Sequence, residues 1–205
     1  MRNALFLLPV FWTAFAAAQT SLTFVGAPNS EYRRISTTFG RHSDYWDIAV
    51  MRTEAGYQGI AGARIGIPLV RGNRRHFTLS PGSYAVFGER RELFGPGLGL
   101  GWEGEWKRFE TEGLVIQYIN TDKHLFYRYT LGEGELSVRL IRGLHATGGG
   151  EMVHNDHHQP AKIRWGGGLA YKRETATGNW ALFARSRGRE AQIGLAWSPP
   201  EKEHR

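Results

Sequence analysis

From residue 19 onward, apolar side chains recur at every second position, the period of strands with two unlike faces. In 98–107, Leu98, Leu100, Trp102 and Trp106 fall on one face, and Gly99, Gly101, Glu103, Glu105 and Lys107 fall on the other. In 161–171 the apolar face carries Ile163, Trp165, Leu169 and Tyr171, opposed by Lys162, Arg164, Gly166, Gly168 and Ala170. In 191–198, Ala191, Ile193, Leu195 and Trp197 oppose Gln192, Gly194, Ala196 and Ser198. Shorter copies follow the same rule around Ile35, Ala61 to Leu69, Leu114 to Tyr118, Tyr127 to Leu131 and Leu136 to Leu140. No segment of this part keeps a helical period, and none has an apolar run near the roughly 20 residues that a membrane-spanning helix needs.

Turn chemistry punctuates the runs at Gly72-Asn73, Pro81-Gly82, Gly95-Pro96-Gly97, Thr121-Asp122, Gly132-Glu133-Gly134 and Thr177-Gly178-Asn179. The Gly-rich stretch 145–160 reads as the longest loop, and 71–97 does not divide cleanly into elements. The pattern predicts one all-β domain over 19–198, an antiparallel up-and-down β-barrel of about 10–12 strands.

The composition of the two faces separates two kinds of barrel. A barrel in water turns a Lys-, Glu- and Thr-rich face outward. Here the less apolar face is mostly Gly, Ala and Ser with arginine in mid-strand, which suits a narrow, wet lumen. The expected lumen-facing charges are Arg34, Arg64, Glu103, Glu105, Lys107, Arg128, Arg139 and Arg164. A ring of such arginines makes a pore prefer anions; the opposing expectation is that paired charges simply fill the interior. The apolar face carries the bulk, with Trp180, Tyr118, Tyr127 and Tyr129 alongside Trp102, Trp106, Trp165, Tyr171 and Trp197. The last five are the expected interfacial aromatics, since Trp and Tyr favour a boundary with one wet and one apolar side. The alternative is a water-soluble exported barrel or sandwich whose aromatic face surrounds a core or an apolar ligand.

The first residues have the form of a secretory signal. Arg2 precedes the apolar stretch Ala4 to Ala17, and Ala16-Ala17-Ala18 supplies small residues for cleavage before Gln19. Residues 1–18 are thus expected to be a signal peptide and 199–205 a charged tail. The chain has no cysteine, so disulfides, thiolate metal sites and covalently attached c-type haem are excluded. Its formal net charge of +7 is scattered along the chain rather than concentrated in a run, and nucleic acid is not an expected partner of an exported protein.

Candidate chemistry is sparse. His154, Asp156, His157 and His158 form the densest cluster of metal-ligating types, but neighbouring histidines in a loop hold metal weakly, and a solvated surface is the expected role. Arg41-His42-Ser43-Asp44 contains the residue types of a hydrolase triad, yet adjacent residues on a strand point to opposite faces. Glu103 and Glu105 share a face as a catalytic pair would, with ion pairing to lumenal bases as the plainer role. Neither Gly148-Gly149-Gly150 nor Gly166-Gly167-Gly168 joins a strand to a helix as a phosphate loop does. No cofactor and no enzymatic activity are expected.

Alternation over about 20–198, the Gly- and Arg-rich face and the aromatic strand 190–198 together resemble the bacterial outer-membrane barrel proteins as a class. The stretch from Ser198 through Pro199 and Pro200 to Glu201 departs from that class, whose last strand ends on an aromatic residue. The resemblance implies an outer-membrane location, the lipid bilayer and the barrel-assembly machinery as partners, and a role as a passive small-solute or anion pore or as a structural envelope protein.

Overall fold

The computed structural model describes residues 19–41, 44–53, 56–72, 75–88, 95–119, 128–155 and 159–200. The signal segment 1–18, His42, Ser43, the trio Asp156, His157 and His158, Tyr127, and the tail from Glu201 lie outside the described residues. Within them the chain forms thirteen strands. These are β1 (Gln19–Gly26), β2 (Arg33–Arg41), β3 (Asp44–Thr53), β4 (Gly56–Ile65), β5 (Ile67–Gly72), β6 (Arg75–Gly88), β7 (Gly95–Trp106), β8 (Phe109–Ile119), β9 (Arg128–Ile141), β10 (Leu144–Asn155), β11 (Gln159–Thr175), β12 (Gly178–Arg187) and β13 (Glu190–Ser198).

Consecutive strands pair antiparallel, except β4 and β5, which do not pair with each other, and two further contacts close the sheet. β1 pairs with β13, and β4 pairs with β6. The result is a closed barrel of twelve strands with β5 as an extra element. β5 continues β4 in register: Arg64 faces Gly82, and beyond Gly66 Ile67 faces Leu79. The pairing lapses where Pro81, which has no N–H to donate, stands opposite the junction. Closure removes the sheet edge along the barrel wall.

The start of β1 and the end of β13 lie at the same end of the barrel, as an even number of strands requires. At that end every connecting segment is two residues long: 42–43, 73–74, 107–108, 142–143 and 176–177. At the opposite end the segments reach six residues (27–32 and 89–94) and eight (120–127). Here the Asn29 side chain clips two connections together. Its Nδ2 donates to the Arg189 carbonyl, and its Oδ1 accepts from the Ala191 N–H at 3.0 Å.

Several expected turns are strand. Gly132-Glu133-Gly134 lies inside β9, Pro81-Gly82 inside β6, and Gly95-Pro96-Gly97 begins β7. The Gly-rich stretch expected to be the longest loop is a continuous wall of β10 and β11, joined by 156–158 alone. Its glycines permit close approach of neighbouring backbones. A Cβ on Gly149 would overlap the Gly134 carbonyl oxygen and meet the Glu135 Cα at 2.9 Å, and one on Gly166 would overlap the Ser186 carbonyl. Gly148, on the other face, has open space around it.

Gly149→Val is therefore expected to abolish formation of the compact barrel, while Gly148→Ala leaves it intact. The check is the shift in gel mobility between unheated and boiled samples; loss of the shift in Gly148→Ala, or its retention in Gly149→Val, contradicts this account.

Candidate functional site

Residues opposite each other on neighbouring strands share a face, so the register sorts the wall into outside and lumen. Outside, Leu98 is 72% exposed and Trp165 is 71% exposed. With them stand Phe24, Ile35, Trp46, Val50, Leu100, Leu169, Leu182, Ile193 and Leu195, all large, apolar and uncovered. Aromatic rings on this face lie over glycines of adjacent strands. Trp102 covers Gly113, and Phe87 covers Gly59. Towards the short-connection end, Phe39 stacks on Trp46 and the Arg75 guanidinium sits 4.6 Å from the Trp106 ring centre.

The expected interfacial aromatics are all on this outer face. Trp106, Tyr171 and Trp197 stand towards the short-connection end, with Trp197 beside Trp180. Trp165 is near the other end, level with the β12–β13 connection, where its carbonyl accepts the Gly188 N–H. Trp102 lies four residues up β7 from Trp106, within the wall rather than at a strand end.

One group of aromatics is on the opposite side from the one expected. Tyr118 and Tyr129 face the lumen, stacked with ring centres 5.1 Å apart, and Leu114, Ile116 and Leu131 share their face. Tyr118 and Ile116 are fully buried. The reason is volume: their partners on β7 are Gly97, Gly99 and Gly101. A Cβ on Gly97 would come within 2.9 Å of the Tyr118 Cβ. Bulk on β8 fills the space that β7 leaves empty.

Most of the lumenal charge is paired across strands. Near the long-connection end, the Arg34 guanidinium on β2 donates two bonds to the Glu133 carboxylate on β9, at 2.5 and 2.7 Å. Those strands are six apart whichever way round the twelve-strand ring is counted, so this pair is a strut across the lumen. Beside it, Glu135 accepts from both Arg185 and Arg187 of β12, the latter at 2.6 Å. The Nε of Arg187 also stands 3.9 Å from Glu151 on β10. Tyr32, in the connection above Arg34, has its hydroxyl pKa raised by burial, an effect the nearby guanidinium opposes.

Two smaller clusters lie elsewhere on the wall. Asp47 on β3 accepts from Arg64 Nε at 2.8 Å, from Thr38 Oγ1 at 2.8 Å and from the Tyr84 hydroxyl at 3.2 Å. Arg64 also rests 4.9 Å from the centre of the Tyr45 ring. Towards the short-connection end, Glu110 takes the Lys172 ammonium and has His145 Nδ1 at 3.6 Å. Glu103, Glu112 and Glu135 stand side by side across β7, β8 and β9.

The expected lumenal charges divide accordingly. Arg34, Arg64, Glu103, Glu105, Arg139 and Arg164 lie on the inner face by register. Glu105 is 3.9 Å from His76, Arg164 is 3.5 Å from Glu190, and Arg139 donates to the Lys107 carbonyl. Lys107 itself is not on the lumenal wall. It occupies the β7–β8 turn with φ of 59°. Arg128 pairs with the exposed Ile119 and so shares the outer face, because β9 enters its ladder one residue out of phase with the expected alternation. His154 lies on β10 opposite Thr130, on the outer face. Among the described residues no group of three acidic, His or Cys side chains is arranged to hold a metal.

Sequence reading missed Asp47, Glu110, Glu133, Glu135, Lys172, Arg185 and Arg187. The signal for four of them was present. Glu133 and Glu135 alternate with Gly132, Gly134 and Leu136, and Arg185 and Arg187 alternate with Ala184 and Ser186.

No protein-family model matches this chain, and no curated protein matches it in sequence. Solved structures do match in shape. The KdgM porin superposes with a TM-score of 0.57 at 9% identity, over 90% of this chain and 99% of its own. The same porin in complex with disordered oligogalacturonate gives 0.56 at 9% identity, with the same coverage. A structure from work on in-meso crystallization of membrane proteins gives 0.54 at 10% identity, over 88% of this chain and 82% of its own. At these identities the likeness establishes the closed antiparallel barrel.

Glu135→Gln leaves two guanidiniums, one of them almost wholly buried, without their carboxylate. It is expected to lower folding stability by about 3 kcal/mol, read as a lower urea midpoint for the barrel in micelles. A midpoint equal to the wild type contradicts the pairing described.

Proposed function

We propose that this chain is an outer-membrane barrel and that its lumen is a narrow passive path for small solutes. The carrying observation is the inversion of faces. Most large apolar side chains are outside and uncovered, while most charged groups are inside and many of them are paired. In water such a surface is an aggregation hazard; in a bilayer it is the lipid-facing belt. Short connections at one end and longer ones at the other suit a barrel whose short turns face the periplasm. A signal segment ahead of Gln19 and the shape shared with porins support the same reading, with the bilayer and the assembly machinery as partners.

The soluble alternative needs the aromatic face to enclose an apolar ligand or a core. Trp165, Leu98 and Leu182 point away from the interior, so that face has nothing to enclose. The arginine ring expected to favour anions is also altered in character, since Arg34, Arg64 and Arg164 each have a carboxylate partner. We infer a pore selecting first by size. The complex of one neighbour with oligogalacturonate makes an acidic sugar a reasonable first anionic solute to assay.

Leu100→Arg and Leu195→Arg place a cation on the lipid face, and each is expected to cost about 2–4 kcal/mol of barrel stability. Envelope fractions washed at alkaline pH should show both variants depleted from the membrane; wild-type levels of both would sink the membrane assignment. For the wild type, small unitary currents are expected in planar bilayers. A folded, inserted barrel that carries no current would instead indicate a structural envelope protein.

A further inference from the structure

Resting on the pore reading above, we propose that the Arg34–Glu133 strut is the constriction of the lumen and favours small zwitterionic solutes. Its two ends are anchored on opposite walls and meet in a bidentate contact. A solute moving along the lumen on this level must pass beside that contact or displace it. Bracing limits movement aside: Glu135, next on the same face of β9, is held by Arg185 and Arg187, and Arg187 approaches Glu151.

Displacement has a charge condition. The side chains of Arg34 and Glu133 are 20% and 35% exposed, so each relies substantially on its partner. A simple anion entering the gap satisfies the guanidinium and strands the carboxylate; a simple cation does the reverse. Either leaves a poorly hydrated charge unpaired, which is costly. A solute with an anionic and a cationic end replaces both contacts at once, its anion on Arg34 and its cation on Glu133. A neutral solute of the same size supplies only weaker, uncharged hydrogen bonds. The glutamates of β7 and β8 share this lumenal face, and Lys172, Arg185 and Arg187 pair with the acidic arc.

Glycine and glycolamide are isomers, one zwitterionic and one neutral, and serve as probes in swelling of liposomes containing the folded barrel. The wild type is expected to pass glycine severalfold faster than glycolamide. Arg34→Gln and Glu133→Gln should each abolish the preference, and the charge-swapped double variant Arg34→Glu/Glu133→Arg should restore it. In a KCl gradient across a planar bilayer, Glu133→Gln should move the reversal potential towards anions and Arg34→Gln towards cations. Should a glutamine variant fail to fold, the wild-type comparison and the charge swap still decide. Equal rates for the two isomers in a conducting wild type, or a preference untouched by both neutralisations, overturns the proposal and leaves the pore standing. If folded barrels pass neither solute nor current, the pore reading falls and this proposal falls with it.

Discussion

Closure of the sheet is the constraint from which the rest follows. A backbone N–H or C=O left without a partner on an apolar surface is costly, so an apolar outer wall is tolerable only where its strands have neighbours on both sides. The pairing of β1 with β13 and of β4 with β6 provides them for the twelve strands of the ring, while β5 pairs with β6 alone. The pairing of β6 with the β4–β5 segment lapses at Pro81, level with the start of β3. Because side chains alternate, closing the ring also assigns every residue to the outer face or the lumen at once. A one-residue slip of register would carry Leu98 inward and Glu103 outward.

Closure in turn makes the lumenal charges compatible. Three glutamates adjacent across β7, β8 and β9 repel one another and would weaken those strands in isolation. The bases that answer the acidic arc come from far along the chain: Arg34 on β2, Lys172 on β11, and Arg185 and Arg187 on β12. The ion pairs therefore reward completion of the ring rather than formation of any single hairpin. Breaking one end of a pair strands its partner, so the network also holds the barrel to one cross-section.

Volume is handled by the same reciprocity. Glycines on the lumenal face of β7 lie beside Leu114, Ile116 and Tyr118 of β8, and glycines on the outer face lie beneath Trp102 and Phe87. Large and small side chains alternate across strands, as barrel interiors of this size require. Gly149 of β10 and Gly166 and Gly168 of β11 take positions where a neighbouring backbone approaches too closely for a Cβ.

The strand class, the strand number within a narrow range and the apolar face of most strands were legible in the sequence by itself, because a two-residue period is a local property. Leu98 to Trp106, Ile163 to Tyr171 and Ile193 to Trp197 needed no tertiary information to be sorted into faces. Local turn chemistry was less reliable: Gly132 to Gly134 has the composition of a turn but is strand, since both neighbours of β9 pair through it. What only the tertiary structure decided was which apolar run points inward and which charges meet. Tyr118 faces the lumen because β7 leaves room there, and Arg34 finds Glu133, 99 residues away in sequence, because five intervening strands on either side bring them face to face. Alternation is written into neighbouring residues, whereas the curvature that sets opposite walls within reach belongs to the closed ring as a whole.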